Sequence, residues 1–406
     1  MKMRREGLVL TCIVALGGII RFLVALPVLL DPALAIRNDN YMLLASQLLS
    51  TGHYTDALYG PGYPVFLAPF IIVSGAYAVF SVILMQVALS TATIYLTASL
   101  ARAIFNGEAL LPLVAAALVA IHPSSIIFTP QILTETLYTF IIMTCMFLLM
   151  RRPFRAPHAI VAGLLTGMAA LTRGNGLLVG MLIGLLMLIT HYRLRRTAIF
   201  LLTFILPVLL WSAHNLSVHG HFSPTASGDY NVAALFVGPA KSASEGTPPG
   251  ATIQVWVKDM DEVPQNIFEL SSRVKGMAYR WIMENPASFL KSLLIGQARA
   301  FAGPGAADWK RITGAGLGAV YALACMNVFT SALAALGAIS LRCRLSSIML
   351  AFIVLITVSH VLPSGTAGQS RFMVPAYPMF AMLAAGGLLY LRDMFTSGSI
   401  SSATNP

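Results

Sequence analysis

The chain's ionisable residues are few enough to be weighed one at a time: 15 Asp and Glu and 26 Lys and Arg among 406 residues. Glu135 is the only carboxylate in the apolar stretch 109–150. A charge in such a setting is costly and tends to mark function. It can position a reacting group, hold a metal ion or pair with an arginine; the plainer alternative is an interface glutamate beside Thr134 that faces water. Asp39 stands just before a helical pattern, where the helix dipole favours an ionised carboxylate ready to accept a proton. The plainer alternative there is a simple N-cap. Arg371 precedes the last apolar run, and its planar fork suits a phosphate through two parallel hydrogen bonds, or else it touches lipid headgroups. Arg173, beside Gly174 and Gly176, can join it from the other side or serve as a headgroup anchor. Arg21 lies inside the first apolar run, where it either snorkels outward or faces inward.

The elements that must hold these groups are membrane spans. Hydrophobic residues make up 57% of the chain and charged residues 10%, whereas soluble domains carry about 25% charged residues. So few charges exclude a soluble enzyme, a disordered chain and a nucleic-acid binder. Unbroken apolar runs favour helices over a barrel. The expected architecture is an all-α polytopic membrane protein with about ten transmembrane helices (roughly 9–13). The runs lie near 8–29, 77–100, 109–128, 131–150, 158–172, 176–191, 197–213, 315–340, 346–362 and 373–391. Links on the amino-terminal side carry 13 basic residues, among them Arg151, Arg152, Arg155, Arg193, Arg195 and Arg196, against Glu6, Glu108 and Asp393. The opposite short loops hold only Arg37 and Arg371. By the positive-inside rule both termini are expected in the cytoplasm, and the net charge of +11 needs no nucleic-acid partner. Residues 1–30 lack a small-residue cleavage site and are expected to remain as the first span.

Four segments follow. A transmembrane module, 1–213, contains a long first outer loop at 31–76. An outer, periplasmic segment, 214–312, has the only soluble-like composition. C-terminal spans occupy 313–395, and 396–406 reads as a disordered tail. In the first loop Tyr41, Leu44, Ala45, Leu48 and Leu49 define one face of a short interfacial helix. Asn38 or Asp39 can cap it and Gly52 can end it. Gly60-Pro61-Gly62-Tyr63-Pro64 should turn the chain before an apolar run at 65–73 re-enters the membrane surface. Downstream, 271–280 and 289–301 read as helices. Cys12, Cys145, Cys325 and Cys343 read as small apolar fillers rather than disulfides or a zinc site. The histidines form no ligand spacing, so no metal site is indicated, although a divalent metal remains open. No internal repeat supports an inverted-repeat transporter.

Four ordered blocks resemble those of the C-fold membrane glycosyltransferases, in the branch of protein O-mannosyltransferases and aminoarabinose transferases. They are Asp39 with Tyr41, Ala45 and Gly52, followed by GPGYPVFLA at 60–68; LTETLY at 133–138 with LTRGNGLLVG at 171–180; WSAHNLSVHGHFSPTASGDYN at 211–231 with WIMENPASFL at 281–290; and RFMVP at 371–375 with Pro378. The resemblance covers most of the chain. It implies an inverting transfer of a sugar from a polyprenyl-phosphate carrier to an unknown acceptor at the outer face of the inner membrane.

On that resemblance, Asp39 is the candidate base and Glu135 the second catalytic acid. Arg371, Arg173 and Arg37 are the cations for the donor phosphate. Tyr41, His53, Tyr54 and Tyr63 are candidate substrate contacts; Trp256 and Trp281 read first as interface aromatics, and either can alternatively stack on a sugar ring. The family's loop acid usually stands one helical turn before the tyrosine, where this chain has Arg37. A lipid-linked-sugar flippase or transporter, and a glycan polymerase or ligase, are the alternatives. A flippase would be expected to string ionisable residues across the bundle, whereas Glu135, Arg173 and Arg371 gather near one side.

Overall fold

The computed structural model describes residues 2–36, 40–105, 108–151, 153–190, 192–248, 250–341 and 346–401. Arg37, Asn38, Asp39, Arg152 and Cys343 lie outside the described residues. Every regular element among those described is helical, as a bilayer demands of a backbone that must satisfy its own hydrogen bonds. In chain order they are α1 (Lys2–Leu30), α2 (Tyr41–Thr51), α3 (Gly62–Ser74), α4 (Ala78–Ile104), α5 (Leu110–Ile121), α6 (Pro123–Ile127) and α7 (Glu135–Leu149). There follow α8 (Ala156–Thr172), α9 (Asn175–Ile189), α10 (Leu194–His219) and α11 (Ser227–Asn231). A π-helical turn, Val232–Val237, precedes α12 (Gly238–Glu245), α13 (Ala251–Lys258), α14 (Ile267–Glu284), α15 (Pro286–Ala302) and α16 (Ala306–Thr313). The chain closes with α17 (Leu317–Ser340), α18 (Ser347–Val361) and α19 (Met373–Ser401).

The chain is a multi-pass membrane protein. Among the described residues, six helical stretches are long and apolar enough to cross a bilayer. They are α1, α3 with α4, α10, α17, α18 with the turn after it, and the stretch that forms α19. The remaining expected spans are the shorter apolar helices α5, α7, α8 and α9. At 12 residues α5 rises roughly 18 Å, short of a hydrocarbon core about 30 Å thick. Its early end is tolerated because residues 122–134 are buried in protein throughout and irregular backbone at depth needs such cover.

At the centre stands α19, packed against α5, α7, α17 and α18. Its most apolar stretch is 94% buried, against 22% for α1, whose other side is left for lipid. Small residues permit this density. A Cβ on Gly337 of α17 would lie 1.8 Å from the Leu383 carbonyl oxygen, and one on Gly387 would lie 2.0 Å from that of Leu333. Close backbone approach of this kind is how membrane helices gain packing energy.

The first loop forms α2 as its periodicity requires. Leu44 and Ala45 are buried, and Gly52 ends the helix at φ 70° with its N–H donating to Leu48 O, the left-handed stop glycine supplies best. The expected turn at 60–64 is narrower than that: α3 already begins at Gly62, with Pro64 in its first turn. Proline is accommodated there because first-turn N–H groups have no helical acceptor. At the other end, α19 runs to Ser401 where a disordered tail was expected, extending a helix already nucleated by its buried half; residues 402–406 lie outside the described set.

Residues 227–302 hold a small core of their own, in which Ala233, Val237, Ala240, Val274 and Ala278 surround Trp256 and Trp281. The two tryptophans, expected as interface aromatics or sugar-stacking rings, are buried packing residues here (7% and 8% exposed). With few aliphatic residues available, a helical cluster of this size draws on its largest side chains for burial.

Candidate functional site

The irregular run before α7 delivers Glu135 to the first turn of that helix with its side chain 2% exposed. Arg173 is the residue at which α8 stops, in extended conformation at φ −146° and ψ 131°. From there its Nη1 donates to Glu135 Oε1 at 2.6 Å and to Thr134 Oγ1 at 3.3 Å. Arg371 sits in a 3-10 turn, Ser370–Phe372, and its Nε lies 3.8 Å from the same carboxylate oxygen. The Phe372 ring takes both guanidiniums against it, with Arg173 Cζ at 4.9 Å and Arg371 Cζ at 5.6 Å from its centroid. Each cation gains from the ring quadrupole as well as from the carboxylate. Glu135 Oε2 is buried and has no hydrogen-bond partner among the described residues.

Burial of the Glu135 carboxylate costs several kcal/mol unless it is paired; the two arginines supply that pairing, and its second oxygen is left for a ligand. A cavity of about 510 Å³ lies against it, lined among others by Tyr41, Tyr59, Glu135, Arg173, Asn175, Tyr230, Phe236, Arg371 and Phe372. The first loop, the ends of α7 to α9, the 224–236 region and the loop before α19 all contribute. Burial pushes the Tyr230 phenol up from its usual range, so it meets the cavity as a neutral hydroxyl able to donate.

The loop bearing Arg371 is positioned by backbone contact that only glycine allows. Gly365, at φ 55°, would place a Cβ 2.5 Å from Leu235 O. Thr366 Oγ1 donates to Phe236 O at 2.8 Å, and Gln297 Nε2 donates to Gly365 O at 3.0 Å. The π-helical turn and α15 thereby hold the loop from two sides. Wide helical turns of this type recur at functional sites.

Of the residues singled out from sequence, Tyr41, Glu135, Arg173 and Arg371 share this cavity wall. Asp39 and Arg37 lie outside the described residues. Tyr63 is elsewhere: fully buried, it donates to Gln86 Oε1 at 2.8 Å and meets Tyr41 edge-on at 5.0 Å. It is separated from the cavity because Gly62 is already helical and turns the following side chain toward α4. Tyr54 donates to Tyr59 O at 2.9 Å and packs its ring on Trp211 at 5.6 Å, a brace for the loop rather than part of the wall. His53 is exposed and its N–H donates to Thr51 Oγ1. Asp31 and Asp56 accept backbone N–H groups at Ala33 and at Leu58 and Tyr59, which explains their place in the sequence without chemistry. Sequence reasoning passed over Phe372, Tyr230 and Asn175, although each sits inside a quoted motif. Among the described residues no three His, Cys, Asp or Glu side chains are grouped to hold a metal ion.

No protein-family model and no curated protein matches the chain. Among solved structures, the apo oligosaccharyltransferase of Archaeoglobus fulgidus superposes with a TM-score of 0.53 at 14% identity, over 98% of this chain and 52% of that one. The oligosaccharyltransferase AglB of the same organism, in complex with an inhibitory peptide and a dolichol-phosphate, gives 0.52 at 14% identity over the same shares, 98% and 52%. The chain has the C-type fold of membrane glycosyltransferases. It spans about half the length of those relatives. ArnT from Cupriavidus metallidurans, bound to undecaprenyl phosphate, gives 0.37 at 14% identity over 93% of this chain and 77% of that one. In this C-type bundle the cavity opens among the first loop, the helix ends and the 224–236 region, where the long irregular links of the fold converge.

Proposed function

We propose that this protein is an inverting glycosyltransferase that moves a sugar from a polyprenyl-phosphate carrier to an acceptor at the outer face of the cytoplasmic membrane. The observation that carries the reading is the cluster of Arg173, Arg371 and Glu135 on one cavity wall. The fold is shared with an oligosaccharyltransferase whose structure holds a dolichol-phosphate, a ligand of the same chemical class. The excess of basic residues on links facing the amino terminus supports a topology with both termini in the cytoplasm and residues 214–312, with the cavity, on the opposite side.

In the proposed step an acceptor oxygen attacks the anomeric carbon from the face opposite the phosphate. The new carbon–oxygen bond forms as the bond to the phosphate oxygen breaks, and that oxygen keeps the electron pair. The carrier passes from a singly charged diester toward a doubly charged monoester. Arg173 and Arg371 meet the added charge where it develops, which is the arrangement that lowers a barrier. Glu135 acts through them: it fixes Arg173 at 2.6 Å, so its role is to position the cations. The acceptor's proton passes to Asp39, two positions before the cavity-lining Tyr41 in the chain, in the manner of a general base.

Two experiments test this. A deletion strain should lose one glycosylated species, restored by wild type and not by Arg371→Ala at equal membrane abundance; restoration by Arg371→Ala removes that residue from the donor site. Cysteines introduced across 214–312 should react with impermeant reagents from outside the cytoplasm, and protection from them inverts the topology.

A further inference from the structure

A second hollow adjoins the first. It encloses about 800 Å³, and Leu177, Pro224, Thr225 and Gly228 line both spaces. Its chemistry is different. Where the first cavity presents two guanidiniums about one carboxylate, this groove presents Asp229, Glu269 and Arg273 together with Phe222, His221 and Phe268. Phe222 is 58% exposed, and His221 stacks on Phe268 at 5.0 Å and 20°. Ser271 also lines the groove; it is fully buried and its hydroxyl has no hydrogen-bond partner among the described residues. Buried hydroxyls are nearly always satisfied, so an unpartnered one in a groove wall points to a missing polar ligand.

The loop that forms the shared wall is fixed. Trp211 Nε1 donates to Pro224 O at 3.0 Å, Asn215 Nδ2 to Ser223 O at 2.7 Å, and Thr225 Oγ1 to Leu58 O at 2.9 Å. Asp229 is held by Lys275 at 2.6 Å. The groove is therefore preformed, and rigid sites with aromatic walls and a few converging polar groups are those that select small ligands.

We infer that this groove binds the acceptor, and that the acceptor is a neutral, hydroxyl-rich carbohydrate. The inference rests on the transferase reading above and adds to it the class of the second substrate. Aromatic faces match the C–H faces of a sugar ring, while carboxylate and serine oxygens accept and share its hydroxyl protons. Lys275 pairs Asp229, and Arg273 lines the groove with Glu269, so the groove is near neutrality and suits an uncharged acceptor, while the donor phosphate matches the two arginines of the first cavity. Through the shared wall an acceptor hydroxyl reaches the space in front of Arg173 without displacing the carrier.

The test uses the full-length protein in the deletion strain, with the species lost on deletion as readout, and undecaprenyl phosphate binding followed by native mass spectrometry. The Phe222→Ala, Glu269→Gln double variant should form at least tenfold less of that species while binding undecaprenyl phosphate within twofold of wild type. Ser271→Ala should lower product several-fold without lowering thermal stability, since it removes a hydroxyl the fold leaves unpaired. Linkage analysis should find the transferred sugar on a carbohydrate hydroxyl. Product at the wild-type level in the double variant overturns the groove, as does joint loss of carrier binding. A sugar attached to a protein side chain or a lipid phosphate overturns the acceptor class. Failure of wild type itself to bind undecaprenyl phosphate contradicts the transferase reading instead.

Discussion

Two arginine sites in this bundle show opposite designs. Arg21 in α1 is fully buried, and each of its nitrogens is used. Nε donates to Ser90 Oγ at 2.7 Å, Nη1 to Gly17 O and Ala120 O, and Nη2 to Val119 O at 2.9 Å. Val119 and Ala120 end α5, so the guanidinium caps carbonyls that the interrupted helix leaves open. The space beside it is about 10 Å³, room for a single water at most. No carboxylate pairs with Arg21 among the described residues. Arg173 and Arg371, by contrast, share one carboxylate, leave its Oε2 unpartnered and face about 510 Å³ of open cavity. A charge buried to hold a helix end is saturated and sealed. A charge set to meet a ligand keeps access to open space.

Substitutions should separate the two sites, beginning with the largest effect on turnover. Asp39→Asn removes the proposed base and should lower transfer by about 10³-fold, measured in membranes with protein quantified; near-normal activity would instead mark Asp39 as a helix cap. Arg371→Ala should cost about 10²-fold, the usual loss when one preorganised donor to developing charge is removed. The loss should fall on both kcat and carrier binding. Glu135→Gln keeps a hydrogen bond to Arg173 but releases its charge hold, and should lower kcat/KM for the donor by roughly tenfold with the protein still folded. Arg21→Met should leave turnover per folded molecule unchanged while the open carbonyls of α5 lower stability by about 2–5 kcal/mol, read as a drop in melting temperature. A catalytic defect in folded Arg21→Met would erase the distinction between the sites.

Much of this was legible in the chain, and for a physical reason. Apolar runs near bilayer length coincide with helices α1, α10, α17, α18 and α19, because burial in lipid leaves one option for the backbone. The α2 helix and its Gly52 stop follow from local periodicity and local chemistry. Glu135, Arg173 and Arg371 stood out because an ion in an apolar stretch has few reasons to be there. What escaped depends on contacts distant in sequence. That α5 ends early is set by Arg21, 99 positions before Ala120. Tyr63 and Tyr41 lie on the same motif-rich loop, yet only the fold decides which ring reaches the cavity. The burial of Trp256 and Trp281 was not legible because no local pattern announces a small separate core. The second groove unites residues 221–229 with 268–273, and nothing in either stretch alone signals the pairing.

The central claim is that the arginine-lined cavity receives a lipid phosphate, and photolabelling tests it most directly. An undecaprenyl phosphate analogue with a diazirine near the phosphate, irradiated with the full-length protein, should label Tyr230, Phe236 or Phe372, and Arg371→Ala should abolish that labelling. Label confined to the lipid-facing sides of α1 and α10, or undiminished in Arg371→Ala, would contradict it.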